Sequence, residues 1–313
     1  MGIRILLGVA CLALSVASLD RTVSAQTQEY VRGQNIQPAY EGWDKNPDGT
    51  INLYFGYLNR NWEETPHIPI GASNSFSPGA ADRGQPTFFY PKRQMLLFKV
   101  VVPADFGKQE LVWSVTHNGR TDKAVAWLAP FYELDNTVRR AQRGGSQRMS
   151  TPEELQAKPP SVETDGPQTF TVAVNEPLNL AVMVRDDGFP GPAKRRMNAE
   201  EGGGATEPAP EQLVRQIQAR APSAPAQDMV SAASASKTGL AVTWLHYRGP
   251  DRGPGTVTFE PMTATLEKTG GRAQTVARFS EPGTYVIRAV ANDQIFTAPV
   301  NVTVNVTGAA QAR

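Results

Sequence analysis

Gly239-Leu-Ala-Val-Thr-Trp-Leu-His-Tyr-Arg248, Gly255-Thr-Val-Thr-Phe259 and Arg272-Ala-Gln-Thr-Val-Ala-Arg-Phe-Ser-Glu-Pro-Gly-Thr-Tyr285-Val-Ile-Arg-Ala-Val-Ala291 decide the fold. Apolar residues recur at every second position and glycine-proline pairs punctuate them, which is the pattern of successive antiparallel strands. Leu240, Val242, Trp244 and His246 fall on one face of a pleated strand, and Ala241, Thr243, Leu245 and Tyr247 fall on the other. Pro282-Gly283 makes a turn directly before Tyr285.

Trp244 in the third strand and Tyr285 at the entry to a late strand are the positions where immunoglobulin-like sandwiches place a core indole and a corner tyrosine. Upstream, Phe170 to Val174 and Leu178 to Val184 supply opening strands, with Leu178, Leu180, Val182 and Val184 on one face. Downstream, Val300, Val302, Val304 and Val306 share parity in a closing strand. From Phe189 to Thr238 the sequence is rich in Gly, Ala and Pro and poor in core-forming side chains, which predicts a disordered insertion over 189–238.

A first sandwich is expected over 40–132. Its strands are Ile51 to Leu58, Met95 to Val102, Glu110 to Thr116 and Thr121 to Leu128, the last two joined through His117-Asn-Gly-Arg120. Residues 26–39 lack periodicity and read as a tail, residues 133–168 read as a linker with solvated arginines, and 307–313 as a second tail. The fold class is therefore all-β, two immunoglobulin-like antiparallel β-sandwiches in tandem, the second spanning 169–306.

The chain has 313 residues. Arg4, the apolar run Ile5 to Val16 and Val23-Ser-Ala25 form a signal-peptide pattern over 1–25, and that run is too short for a comfortable membrane span. Cys11, the one cysteine, lies within it, so the mature chain is expected to hold together without disulfides. Lys plus Arg number 31 against 30 Asp plus Glu, a balance that gives nucleic acid no footing. No further apolar run is long enough to cross a bilayer, so a periplasmic or extracellular location is expected for a bacterial source.

Residues 59–91 form a long connection rich in aromatic, proline and amide groups, either a packed cover or a recognition surface. Arg60, Trp62, Glu63, Arg83, Phe88 and Tyr90 are its binding candidates, with Arg60 and Arg83 able to pair with Glu63, Glu64 or Asp82. The leading functional reading is a non-enzymatic exported binding or scaffold protein with an envelope protein as partner. One alternative is a glycan binder stacking sugars on Trp43, Tyr57, Trp62, Phe88, Phe89 and Tyr90; another is a hydrolase using Glu63, Glu64 and Asp82.

His67, His117 and His246 have no ligand spacing, and no nucleophile elbow or phosphate-cradling glycine motif is present. No catalytic residue and no obligate cofactor is expected. Sandwich topology brings the loop after the second strand and the loop before the last to one end, so Asp186, Asp187, Asn292 and Asp293 form a candidate calcium group. Turn capping is the competing reading of the same side chains.

Asp186-Asp-Gly188, Val242-Thr-Trp244, Arg248-Gly-Pro250, Phe279-Ser-Glu-Pro-Gly-Thr-Tyr285 and Ala291-Asn-Asp293 resemble bacterial extracytoplasmic immunoglobulin-like modules related to polycystic-kidney-disease and cadherin-like repeats. The resemblance covers about Thr169 to Val306 without the insertion and implies a spacer or adhesion unit with no catalytic residue. Gly56 to Trp62 and Asp82 to Thr87 are similar to exported bacterial proteins of unassigned function that pair such a segment with this second module.

Overall fold

A computed structural model describes residues 30–142, 152–189, 239–250 and 256–308. The expected signal peptide over 1–25 and all but Phe189 of the expected insertion lie outside the described residues.

The first sandwich is built from β1 (Ile36–Lys45), β2 (Ile51–Asn59), β3 (Asn74–Ser77), β4 (Lys92–Val102), β5 (Leu111–His117) and β6 (Arg120–Ala126). One sheet runs β1-β2-β4 and the other β3-β5-β6. Residues 36–39, which the sequence pattern assigns to a tail, are strand. Their pairing partners are Gly56 to Asn59, and burial of Ile36 against the core is what orders them. β3 is hidden inside the long connection because four residues give too little alternation to detect. The core gathers Phe55, Phe76, Phe98 and Trp113, with the Phe55 and Phe98 rings stacked at 5.5 Å and Phe76 and Trp113 at 5.9 Å.

A 3-10 turn (Pro130–Tyr132) and two short helices, α1 (Asn136–Gln142) and α2 (Pro152–Leu155), lead onward. Asp135 caps α1 by accepting the Val138 N–H at 2.7 Å. Asn136 donates to the carbonyls of Leu155 and Ala157, tying the two helices together.

The second sandwich contains β7 (Ser161–Thr164), β8 (Thr169–Ala173), β9 (Leu178–Arg185), β10 (Ala241–Arg248), β11 (Val257–Glu260), β12 (Thr263–Thr265), β13 (Gly270–Phe279), β14 (Gly283–Asn292) and β15 (Thr297–Thr307). Its sheets run β11-β13-β9-β7 and β12-β10-β14-β15-β8. β7 lies in the stretch expected to be linker but pairs with β9, so ordered sandwich begins before Thr169. Pairing between these strands is antiparallel except for β8, which lies parallel to β15. Trp244 is fully buried between the sheets, and the Tyr285 hydroxyl donates to the Glu281 carbonyl at 2.8 Å, the corner its position predicts.

Candidate functional site at the junction of the sandwiches

A strand at the surface of a sandwich ordinarily buries one face; β10 buries both. Val242 and Trp244 point into the second core, whereas Leu245 and Tyr247 belong to the core of the first sandwich together with Val290 of β14. The two alternating faces visible in the sequence are thus assigned to two different cores.

What covers the outer face of β10 is the connection between β2 and β4. The Thr87 N–H donates to the Tyr247 carbonyl at 3.0 Å, and the His246 N–H donates to the Tyr90 hydroxyl at 2.9 Å. Tyr247 in turn donates its hydroxyl to the Gly84 carbonyl, and Arg248 Nε donates to the Gln85 carbonyl at 2.7 Å. The same guanidinium grips Asp82 with both terminal nitrogens, at 3.0 and 2.7 Å, and this pairing holds the Asp82 carboxyl below its usual range.

β4 completes the contact through a bulge. Phe55 pairs with Phe98 and Tyr57 with Gln94, so Met95, Leu96 and Leu97 stand opposite Gly56 alone. Leu96 takes φ 49°, a left-handed conformation costly for a branched side chain. In return the bulge presents two carbonyls to the second sandwich: Leu96 accepts from the Thr297 hydroxyl at 3.1 Å and Leu97 from Arg288 at 3.1 Å. Arg288 is 7 % exposed, lies 3.4 Å above the Tyr247 ring centroid and donates to Asn301 at 2.8 Å. Among the described residues no carboxylate pairs with it, so a ring face and amide oxygens compensate a buried cation.

His246 closes the junction. Its ring stacks on Phe88 at 4.7 Å and sits 5.3 Å from Tyr285, and its Nε2 has no hydrogen-bond partner among the described residues. Burial, and then nearby His67, push the imidazole down to about 4.

The structure separates five of the six binding candidates into two groups and leaves Arg83 apart. Phe88 and Tyr90 are buried in the junction with Phe89, and Trp43 and Tyr57 are also core residues. None of these rings offers a sugar a free face, which removes the expected stacking surface except at Trp62. Arg60, Trp62 and Glu63 stand near one another in the chain at the start of the connection, and none of the three is buried. Arg60 is exposed and donates to Gln37 at 2.9 Å, Lys92 stands 4.6 Å from the Trp62 ring centroid, and Trp62 and Glu63 donate backbone N–H groups to the Tyr30 and Val31 carbonyls. Arg83 belongs to neither group: it donates to the Ala80 and Pro78 carbonyls. The ion pairs expected for Arg60 and Arg83 are replaced by these amide and carbonyl contacts, and Asp82 goes to Arg248 instead.

Glu64 accepts the Gly33 N–H at 2.7 Å and faces His117 Nε2 at 3.1 Å, so it fastens the incoming chain. Arg139 of α1 also departs from expectation. In place of a solvated linker arginine, the structure has it buried against Asp44, with the Tyr54 and Phe296 rings 4.6 and 5.5 Å from its guanidinium. No local pattern signals this, because both aromatics are remote from Arg139 in the chain.

The calcium candidates lie in turns at the ends of β9 and β14. Asp186 accepts from Gly188, Asp187 from Lys158 and Phe189, Asn292 from Gln294, and Asp293 from Ile295 and Phe296, all backbone N–H groups. Among the described residues no three His, Cys, Asp or Glu side chains converge where they would hold a metal. Burial, with Asp187 contributing less, raises the Asp186 carboxyl.

No family model and no curated protein matches the chain. Solved structures similar to it include domains 4 and 5 of the S-layer protein SbsC, at 12 % identity over 88 % of this chain and 98 % of that one, TM-score 0.21. Fibronectin(III)-like modules of Clostridium thermocellum CbhA follow at 11 % identity, 84 % and 88 % coverage and TM-score 0.23. A domain of intimin gives 9 % identity, 87 % and 100 % coverage and TM-score 0.24. The immunoglobulin-like class stands on the strand order and pairing described above, which need no support from likenesses this distant.

Proposed function

We propose that this chain is a non-enzymatic, exported binding or scaffold protein that holds two sandwiches as one stiff unit and engages another envelope protein. The carrying observation is β10, whose two faces serve two cores. A tandem joined this way suits a spacer or display role, in keeping with the resemblance of its second half to extracytoplasmic spacer modules. The partner surface in this reading is the stretch bearing Arg60, Trp62 and Glu63. The hydrolase alternative loses its support because Asp82 is bound to Arg248 and Glu64 to Gly33 and His117, leaving no pair of poised carboxylates in that connection.

Native capture from an envelope fraction, followed by mass spectrometry, tests the proposal. A specific protein should co-purify with the wild type and be lost with Trp62→Ala, the variant retaining its melting temperature. Turnover of a substrate by the purified chain, or a captured set that is the same for wild type and Trp62→Ala, would overturn it.

A further inference from the structure

The His246 imidazole touches a ring from each side of the junction. Phe88 of the connection stacks on it with centroids 4.7 Å apart and planes 25° from parallel, and Tyr285 at the corner of the second sandwich stands 5.3 Å away. The residue is 2 % exposed. Its Nε2 has no hydrogen-bond partner among the described residues, and Gly249 packs so close that a Cβ there would lie 3.1 Å from that nitrogen. A hydrogen bond with the Arg248 backbone favours a charged ring, but burial and the neighbouring His67 outweigh it and hold the imidazole at about 4.

The ionisable groups around the ring come from three elements. The connection supplies His67, which bridges to Phe88, and Tyr90, whose hydroxyl accepts the His246 N–H; the corner supplies Tyr285; β10 itself supplies Arg248, bound to Asp82. A second ring proton therefore places an uncompensated cation in an enclosed site, and opening to water relieves it. Which side yields is set by how each is held. β10 is laced into its own sheet by ladders to β12 and β14. Among the described residues the connection reaches β10 through one backbone-to-backbone bond, Thr87 to Tyr247, and through side-chain bonds of Tyr90, Tyr247 and Arg248. We propose that His246 makes the junction an acid-released latch, a proton on its ring parting residues 84–91 from the outer face of β10 while both sandwiches stay folded. The tandem is then stiff near neutrality and jointed in mild acid, whichever partner it engages.

Hydrogen exchange followed by NMR on the purified protein tests the latch, because the Thr87 and His246 amides donate across the junction and report its opening directly. The closed junction binds fewer protons than the open one, so acid favours opening. After correction for intrinsic exchange, the opening constant at both amides should rise about twentyfold from pH 7 to pH 5, as a ring held at about 4 when closed and released to its ordinary range when open requires. Between pH 6 and pH 5 the rise should follow the uptake of about one proton. Asp82 stays charged through that interval, since Arg248 holds its carboxyl below the usual range. Amides of the β5–β6 and β14–β15 ladders should change by less than about threefold. His246→Gln should abolish the rise at Thr87, His246→Phe should do the same if the first variant folds poorly, and His67→Gln should retain most of it. A flat opening constant in the wild type, a rise shared equally by the ladder amides, or a rise that survives in His246→Gln or His246→Phe would each overturn the latch. Loss of the rise in His67→Gln alone would do so too.

Discussion

His246 carries the clearest pH dependence in the molecule. Its imidazole titrates near 6.5 when the chain is unfolded and is held at about 4 in the fold, so the unfolded state binds its proton first as pH falls. Its contribution is fully present above about pH 6.5, declines through the interval down to about 4, and amounts to roughly 3 kcal/mol across it. Urea midpoints should therefore drop between pH 7 and pH 4.5, and His246→Gln should lose a measurable part of that drop. An unchanged pH profile in the variant would show that the ring is not buried neutral. Gly56 makes a steric counterpart: a Cβ there would run into the Gln94 carbonyl oxygen and Glu41 Oε1, the latter already paired with Arg93 at 2.8 Å. Gly56→Ala should cost about 3 kcal/mol, read as a lowered urea midpoint with an unchanged denaturant slope.

At the scale of elements, the strands with strong alternation are legible in the chain. Parity alone assigns Leu178 to Val184 and the faces of β10, and Pro282-Gly283 with Tyr285 announces its corner. β3, β7 and the whole of β1 are not legible, because each is short, irregular in its alternation or carries its apolar partner far away in sequence. The connection over 59–91 stands out by its lack of periodicity, but its role stays open at that level, since a packed cover and a recognition loop use the same aromatics. Only burial of Phe88 and Tyr90 against β10 separates those readings. Arg139 escapes the sequence for a related reason, as its counter-charge Asp44 lies in β1. The turns at the ends of β9 and β14 illustrate an ambiguity of chemistry: Asp and Asn oxygens that could ligate an ion also accept turn N–H groups, and here at least one oxygen of each side chain does so. Treatment with EDTA should leave the melting temperature unchanged; a fall reversed by added Ca²⁺ would show that these oxygens hold a metal as well.

For the whole molecule, the magnitudes separate two polar contacts at the junction. Asp82 is half exposed, with 52 % of its side chain accessible, so its bond to Arg248 should contribute no more than about 1 kcal/mol despite bidentate geometry. Arg288 is enclosed, and removing it forfeits the ring contact and leaves the Leu97 carbonyl without its donor. Arg288→Ala should destabilise by about 2–4 kcal/mol, against about 1 or less for Asp82→Ala. Small-angle scattering should show one narrow distribution of overall dimensions for the wild type and a broadened one for Arg288→Ala. Equal effects of the two substitutions would mean that exposure does not govern the junction.

The parallel pairing of β8 with β15 has a mechanical corollary. Thr303 lies beside Thr169 and Thr307 beside Ala173, so tension entering before Thr169 and leaving after Thr307 pulls the two strands along their length in opposite directions. The inter-strand bonds are then sheared together and do not peel apart one at a time, the geometry that best resists extension in a protein stretched between two anchors.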